Sequence, residues 1–125
     1  MRVSGGTQGA TRFELKTADA SANPYLALGA VIAAGLDGVR RTLQLPDEVT
    51  GDPGHLSEGE RADRQIKPLP TTLGEAISAL EQDPALLGAL GPERAGTYLA
   101  VRRAEWEALR ELSLQDELRL LAERY

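Results

Sequence analysis

The stretch that decides the fold is Arg12–Gly38, which reads RFELKTADASANPYLALGAVIAAGLDG. Its first part alternates polar and apolar side chains and places Phe13 and Leu15 on one face of a strand. Alternation of period two that includes an aromatic residue predicts a half-buried β-strand. The sequence GGTQG at 5–9 permits the positive φ angles of a turn. We therefore predict a β-hairpin over residues 1–17.

The second part of this stretch predicts a long helix. Asn23 is a preferred N-cap residue and Pro24 is favoured at the first helical position. The predicted helix covers residues 24–41 and is apolar on nearly every side, which is typical of a helix buried inside a larger fold. Each glycine inside it weakens the helix by up to ~1 kcal/mol relative to alanine. These glycines therefore indicate close packing against another element, and they stand at positions 29, 35 and 38.

The rest of the chain divides into a loop region and a helical region. Residues 45–70 contain four prolines and the only histidine, His55, which we interpret as a solvated loop residue. We predict an irregular surface excursion here. A capping box formed by Thr72 and Glu75 begins the first of three or four helices over 72–124. The expected fold class is α+β and mainly helical: an N-terminal β-hairpin, a long buried helix and a C-terminal set of helices in one domain.

Composition narrows the possible functions. A net charge of −5 and an aromatic content of 4% argue against a nucleic-acid-binding protein, which needs cations and stacking surfaces. The chain has no cysteine, which excludes disulfides, thiolate metal sites and thiol nucleophiles and fits a cytoplasmic protein. The first residues lack the pattern of a signal peptide, and no apolar stretch reaches the ~20 residues of a membrane span. We expect neither nucleic acid nor a membrane as partner.

The predicted strand also carries a row of charged side chains. Arg12, Glu14 and Lys16 share one face because strand side chains alternate. Arginine binds phosphate in a bidentate manner, glutamate supplies a hard oxygen ligand for Mg²⁺ or Mn²⁺, and lysine is a point charge for phosphate or carboxylate. Phosphoryl transfer relies on positioning and charge neutralisation, and Arg2 across the hairpin would add a further charge. The same pattern is more often a solvent-facing salt-bridge ladder, so periodicity alone leaves both interpretations open.

The ordered run Arg12–Gly38 closely resembles the glutamine synthetase family. The similarity continues through LPTTLGEA at 69–76 and YLAVRRAEW at 98–106, and it covers essentially all 125 residues, the excursion at 45–70 least well. Among variants, the chain looks closest to the divergent members related to plant and fungal nodulin-like synthetase fusions. The resemblance implies that residues 1–125 are the C-terminal portion of a synthetase-type catalytic domain.

The resemblance also implies roles for four residues. The family forms γ-glutamyl phosphate from glutamate and ATP, and an amine then displaces the phosphate. Glu14 falls at a position that binds the metal on the ATP phosphates, and Arg12 falls at an ATP-phosphate contact. Arg2 falls at a catalytic arginine that steadies the transferred phosphoryl group.

Lys16 departs from the family pattern. It stands at a catalytic position where typical members have an arginine that contacts the glutamate substrate. Lysine lacks the planar fork of arginine, so bidentate carboxylate binding is lost there. This difference points to another γ-glutamyl acceptor or to a shifted substrate.

The resemblance implies that this chain alone has an incomplete active site. In the family, most metal carboxylates and the ammonium pocket lie upstream, and active sites form between adjacent subunits of a ring. We therefore expect the isolated chain to be inactive and to bind neither Mg²⁺, Mn²⁺ nor ATP tightly. Two alternatives stay open: a stand-alone, non-catalytic domain that binds a partner or synthetase subunits, and a helical interaction module. Unpaired strand edges and an uncovered apolar helix predict self-association or binding to other synthetase subunits.

Overall fold

The computed structural model describes residues 12–18 and 22–123, together with the backbone of residues 2–4. Two strands, a 3₁₀ turn and six helices make up this part of the chain. They are β1 (Arg2–Ser4), β2 (Arg12–Glu14), α1 (Pro24–Arg40), the 3₁₀ turn (Pro53–His55), α2 (Glu58–Asp63), α3 (Leu73–Glu81), α4 (Pro84–Leu90), α5 (Pro92–Leu109) and α6 (Leu114–Ala122). The mainly helical α+β architecture predicted from the sequence is confirmed.

The predicted hairpin is present. β1 and β2 pair antiparallel, with Arg2 opposite Glu14, Val3 opposite Phe13 and Ser4 opposite Arg12. The glycine-rich loop between the strands lies outside the described residues. The prediction that the strand is half-buried is wrong for this chain, because Phe13 is 54% exposed and Leu15 43% exposed. Two short strands present one apolar face that nothing in the described part of the chain buries.

Helix α1 begins where the sequence predicted. The Asn23 side chain accepts hydrogen bonds from the backbone N–H groups of Tyr25 (3.0 Å) and Leu26 (3.2 Å), and Pro24 is the first helical residue. None of the residues of α1 is buried in the described part of the chain, which is what a helix that belongs inside a larger fold shows without the rest of that fold. Among the described elements it packs chiefly against α4. One neighbouring helix covers only one side of a helix that is apolar nearly all round.

The glycines of α1 also differ from expectation. A Cβ atom added at any of the three positions would meet nothing within 4 Å. The close packing that these glycines indicate is therefore not made within the described part of this chain. The positions are Gly29, Gly35 and Gly38.

The core lies between α3, α4 and α5, which pack against one another. Its buried residues in the described part of the chain are Ile77 of α3 and Ala95 and Leu99 of α5. On the rim, Arg103 Nε donates a 3.0 Å hydrogen bond to Glu81 and so ties α5 to α3. This small core holds the C-terminal helices together and leaves α1 at one side.

The segment 45–70 is exposed, as predicted, but it is not wholly irregular. It contains the 3₁₀ turn and helix α2. A capping box begins α2: the Glu60 N–H donates to the Ser57 hydroxyl (3.3 Å), and the Ser57 N–H donates to the Glu60 carboxylate (2.8 Å). The hydrogen bond from the Ser57 hydroxyl, followed by the one from its N–H, lowers the pKa of Glu60 below 4.5. His55 is exposed, with Nε2 3.9 Å from an Asp52 carboxylate oxygen.

The molecule exposes much more surface than its size requires. Its accessible surface is 10606 Å², whereas a compact monomer of 13.4 kDa exposes about 6,500 Å². The excess reflects the uncovered sides of α1 and the hairpin and the extended segment 45–70. Within the described residues, no helix combines the length and the apolar character needed to cross a membrane.

Candidate functional site

The charged row predicted on the strand forms as expected. A Glu14 carboxylate oxygen lies 3.8 Å from Arg12 Nε, and the other lies 2.5 Å from Lys16 Nζ. Strand β2 brings these side chains to one face because Arg12 and Glu14 are two residues apart, and the turn after the strand carries Lys16 back onto it. We call these three residues the hairpin ladder. Its two cations are largely exposed and its carboxylate is about one-third exposed.

The pairing of the two strands determines where the backbone of Arg2 lies. Its Cα is the direct partner of the Glu14 Cα in the antiparallel register. Directly opposed residues of an antiparallel pair project to the same face of the sheet. The side chain of Arg2 lies outside the described residues, so its predicted catalytic role stays a prediction. The backbone places it next to the hairpin ladder.

The hairpin ladder suits a phosphate group. Two exposed cations, one of them an arginine, face the solvent on either side of a carboxylate. Exposed ion pairs are worth only ~0–1 kcal/mol, so phosphate oxygens can replace Glu14 as partners of these cations at little cost. Glu14 would then offer its oxygens to a metal on the same phosphates.

The metal side of the site is partial. Mg²⁺ prefers six oxygen ligands in octahedral geometry and gives up its waters reluctantly. Glu14 supplies one carboxylate, and the described part of the chain contains no group of three or more His, Asp or Glu residues that could hold a metal ion. The ladder therefore fits a metal–nucleotide group as one side of a site rather than as a whole site.

Sequence reasoning missed a groove of about 1010 Å³ between α1 and the helices α3–α6. Tyr98, Arg102 and Glu105 of α5 are among its lining residues, and no member of the hairpin ladder is. Arg102 Nη1 forms a 2.8 Å ion pair with a carboxylate oxygen of Glu105. The guanidinium carbon of Arg102 also lies 5.5 Å from the centre of the Tyr98 ring. The buried Nε of Arg102 has no hydrogen-bond partner. The sequence signal was the i,i+3 spacing of Arg102 and Glu105, which is common on solvated helix faces.

Comparison with known proteins identifies the family of this chain. Residues 1–121 match the family described as "Glutamine synthetase, catalytic domain". The chain belongs to this family, as the resemblance of Arg12–Gly38 predicted.

Individual proteins with a similar sequence are synthetases. A gamma-glutamylpolyamine synthetase of Streptomyces coelicolor is 46% identical over 109 residues, which are 84% of this chain and 23% of that protein. The glutamine synthetase of Thermus thermophilus is 40% identical over 108 residues, which are 86% of this chain and 24% of that protein. The glutamine synthetase of Clostridium saccharobutylicum is 38% identical over 110 residues, which are 88% of this chain and 25% of that protein. The chain spans about a quarter of the length of these relatives. The closer relation to nodulin-like members stays a prediction.

Proposed function

We propose that this chain is the C-terminal part of the catalytic domain of an ATP-dependent ligase that joins glutamate to an amine through γ-glutamyl phosphate. The observation that carries the proposal is the hairpin ladder in a chain of the glutamine synthetase family. Two cations beside the carboxylate of strand β2 match the needs of phosphoryl transfer, which depends on positioning and charge neutralisation.

Each residue of the hairpin takes one role in this proposal. Arg12 binds the ATP phosphates through its guanidinium, and Glu14 provides a carboxylate ligand for Mg²⁺ or Mn²⁺ on them. Arg2, beside Glu14 in the register, stabilises the phosphoryl group during transfer. Lys16 contacts the acid substrate with a single charge. A divalent metal, when bound, neutralises phosphate charge and aligns the transferred group.

For the amine, we propose a polyamine. Support comes from the relative named a gamma-glutamylpolyamine synthetase, which is 46% identical to this chain, compared with 38% and 40% for the two glutamine synthetases above. Lys16 adds support, because a changed residue at the glutamate contact fits an enzyme whose acid or acceptor differs from the ammonium-using members.

The 125 residues alone are inactive in this proposal, because one carboxylate does not hold the metal. We place the reaction in the cytoplasm, supported by the absence of cysteine. A second candidate is a non-catalytic domain that binds synthetase subunits. The 10606 Å² of exposed surface favours it, because so open a molecule offers area to a partner.

The first test is the mass of the native species, detected in source cells with an antibody against this segment. We expect a species several times heavier than 13.4 kDa. A native species of 13.4 kDa would favour the non-catalytic domain and redirect the work to its partner.

The second test uses purified native species and its variants. Glu14→Gln should weaken Mn²⁺ binding, followed by paramagnetic resonance, at least about tenfold, and should lower ATP-dependent amide formation. Glu58→Gln, at an exposed carboxylate of α2, is the control and should leave both unchanged. Amide formation with ammonium but not with a polyamine would refute the acceptor, and unchanged Mn²⁺ binding in Glu14→Gln would refute the metal role.

A further inference from the structure

The carboxylate of Glu14 lies between two cations in this structure. One of its oxygens is 2.5 Å from Lys16 Nζ, and the other is 3.8 Å from Arg12 Nε. Only the first distance is short enough for a hydrogen bond, so Lys16 is the closer of these two partners. Each oxygen that Glu14 would offer to a metal ion therefore faces a positive charge.

A metal ion and Lys16 compete for the same carboxylate. Mg²⁺ and Mn²⁺ bind carboxylate oxygens directly, and a like charge at contact distance opposes them. The ammonium of Lys16 also takes up one of the oxygens as a hydrogen-bond acceptor. Glu14 can therefore serve as a metal ligand only after Lys16 has turned away from it.

The two residues differ in how easily they can move. Glu14 belongs to β2, where its backbone pairs with Arg2 of β1. Lys16 lies in the turn after the strand, and its side chain is 65% exposed, compared with 32% for Glu14. Its ammonium can leave on a flexible four-carbon stem, while the carboxylate of Glu14 stays on the strand.

The acid substrate offers Lys16 an equivalent partner. In the function proposed above, Lys16 contacts this acid, whose carboxylate is the same chemical group as the side chain of Glu14. An exposed lysine–carboxylate pair is weak, so the exchange of one carboxylate for another costs little. Lysine suits such an exchange better than arginine, because it is a point charge and not a fork that binds two oxygens at once.

We propose that Lys16 blocks Glu14 until the acid substrate binds, and that the carboxylate of the acid then draws Lys16 away, so that Glu14 can bind the metal on the ATP phosphates. The acid therefore tightens metal binding, and the metal tightens acid binding by the same factor, because coupling between two binding sites is reciprocal. This inference rests on the roles proposed above for Glu14 and Lys16, and it adds that one residue controls the other.

Mn²⁺ titration of the purified native species tests the block, with paramagnetic resonance to follow unbound Mn²⁺ and no nucleotide present. Saturating glutamate should lower the Kd for Mn²⁺ by about two- to fivefold, since an exposed ion pair changes an affinity by no more than this. Lys16→Met should lower the Kd by the same factor without glutamate, and glutamate should then add nothing. Lys16→Arg keeps a cation beside Glu14 and should keep the dependence on glutamate.

The other lysine of the chain provides a matched control. Lys67 is exposed and lies in segment 45–70, outside the hairpin ladder. Lys67→Met removes the same charge as Lys16→Met and should leave the Kd for Mn²⁺ unchanged, with and without glutamate.

A double variant distinguishes a direct block from a general effect of charge. If Lys16 acts through Glu14, its removal has no effect where Glu14 is already replaced. Lys16→Met should therefore leave Mn²⁺ binding unchanged in the Glu14→Gln background. A cycle of the two single variants and the double variant measures this interaction.

Three outcomes would overturn the block. Lys16→Met may leave Mn²⁺ binding unchanged, which would show that the ion pair does not hinder the metal. Equal tightening in the presence and absence of Glu14 would assign the effect to net charge. No effect of glutamate on the unmodified species would show that the acid does not release Glu14. Failure of the proposed function is a different result, because Glu14→Gln itself would then leave Mn²⁺ binding unchanged.

Discussion

Gly74 is a position where space, rather than backbone conformation, selects glycine. A Cβ added there would lie 2.8 Å from Cε2 of Trp106. Trp106 is half-buried and belongs to α5, so its ring lies against the first turn of α3. Gly74→Ala should therefore force the ring to move and destabilise the protein by ~1–3 kcal/mol. Urea unfolding followed by the fluorescence of the single tryptophan measures this.

A second glycine provides the matched control. Gly96, in the interior of α5, is exposed, and a Cβ there would meet nothing within 4 Å. Gly96→Ala should stabilise the chain by up to ~1 kcal/mol through helix propensity. If both substitutions stabilise, the Trp106 ring does not restrict position 74.

At the residue scale, the sequence predicts contacts that are local and misses those that are distant. The hairpin ladder was predictable because the period of two in the sequence groups Arg12, Glu14 and Lys16, although the strand itself ends at Glu14 and Lys16 lies in the turn after it. The contact of Gly74 with Trp106 joins residues of two different helices, and neither residue type signals it. The groove around Arg102 was missed for the same reason, since its lining comes from five helices.

Helix ends were the most predictable elements. Asn23, Asp83 and Ser113 each accept backbone N–H groups as N-caps, as their residue types indicate. Helix α2 was not predicted, although it has a complete capping box. The four prolines of segment 45–70 favour an irregular loop, and the prediction followed them. Half of the capping box predicted at α3 is present, because the Thr72 hydroxyl accepts a 3.1 Å hydrogen bond from the Glu75 N–H. In the other half, the Glu75 carboxylate accepts a hydrogen bond from the N–H of Thr71.

The cap of α3 should make its stability depend on pH. Hydrogen bonds from the Thr71 N–H (2.7 Å) and then the Thr71 hydroxyl (3.0 Å) lower the pKa of Glu75 below 4.5. A carboxylate with a lowered folded-state pKa stabilises the fold above its unfolded pKa and loses that contribution as pH falls through the folded value. The difference in unfolding free energy between the unmodified chain and Glu75→Gln should thus be constant near neutrality and shrink below about pH 4.5.

A variant of the donor serves as control for Glu75. Thr71→Ala removes the hydroxyl donor and keeps the N–H donor, which contributes most to the lowered pKa. Its pH dependence should lie between those of the unmodified chain and Glu75→Gln. Identical pH profiles for all three would show that the cap hydrogen bonds do not form in solution.

At the scale of the whole molecule, burial could not be predicted from the sequence. The apolar pattern of α1 indicates that the helix needs cover, but a pattern carries no information about which polypeptide supplies it. The same holds for Phe13 and Leu15 of the hairpin. Alternation correctly predicted that they share a face, but both side chains are exposed in this chain. Element type depends on neighbours along the chain, whereas burial depends on everything that packs against them.

The large exposed surface should appear as a weak dependence on denaturant. The slope of unfolding free energy against urea concentration scales with the surface exposed on unfolding. An unfolded chain of 13.4 kDa exposes about 19,400 Å² and a compact monomer about 6,500 Å². Because the folded monomer here already exposes 10606 Å², its slope should be about two-thirds of that of a compact domain of equal length.

This slope should be measured at low protein concentration, so that any association of the chain does not contribute to it. A slope of compact-domain size would mean that the monomer buries more surface in solution than this fold does. In that case the C-terminal helices would close over the exposed apolar side of α1.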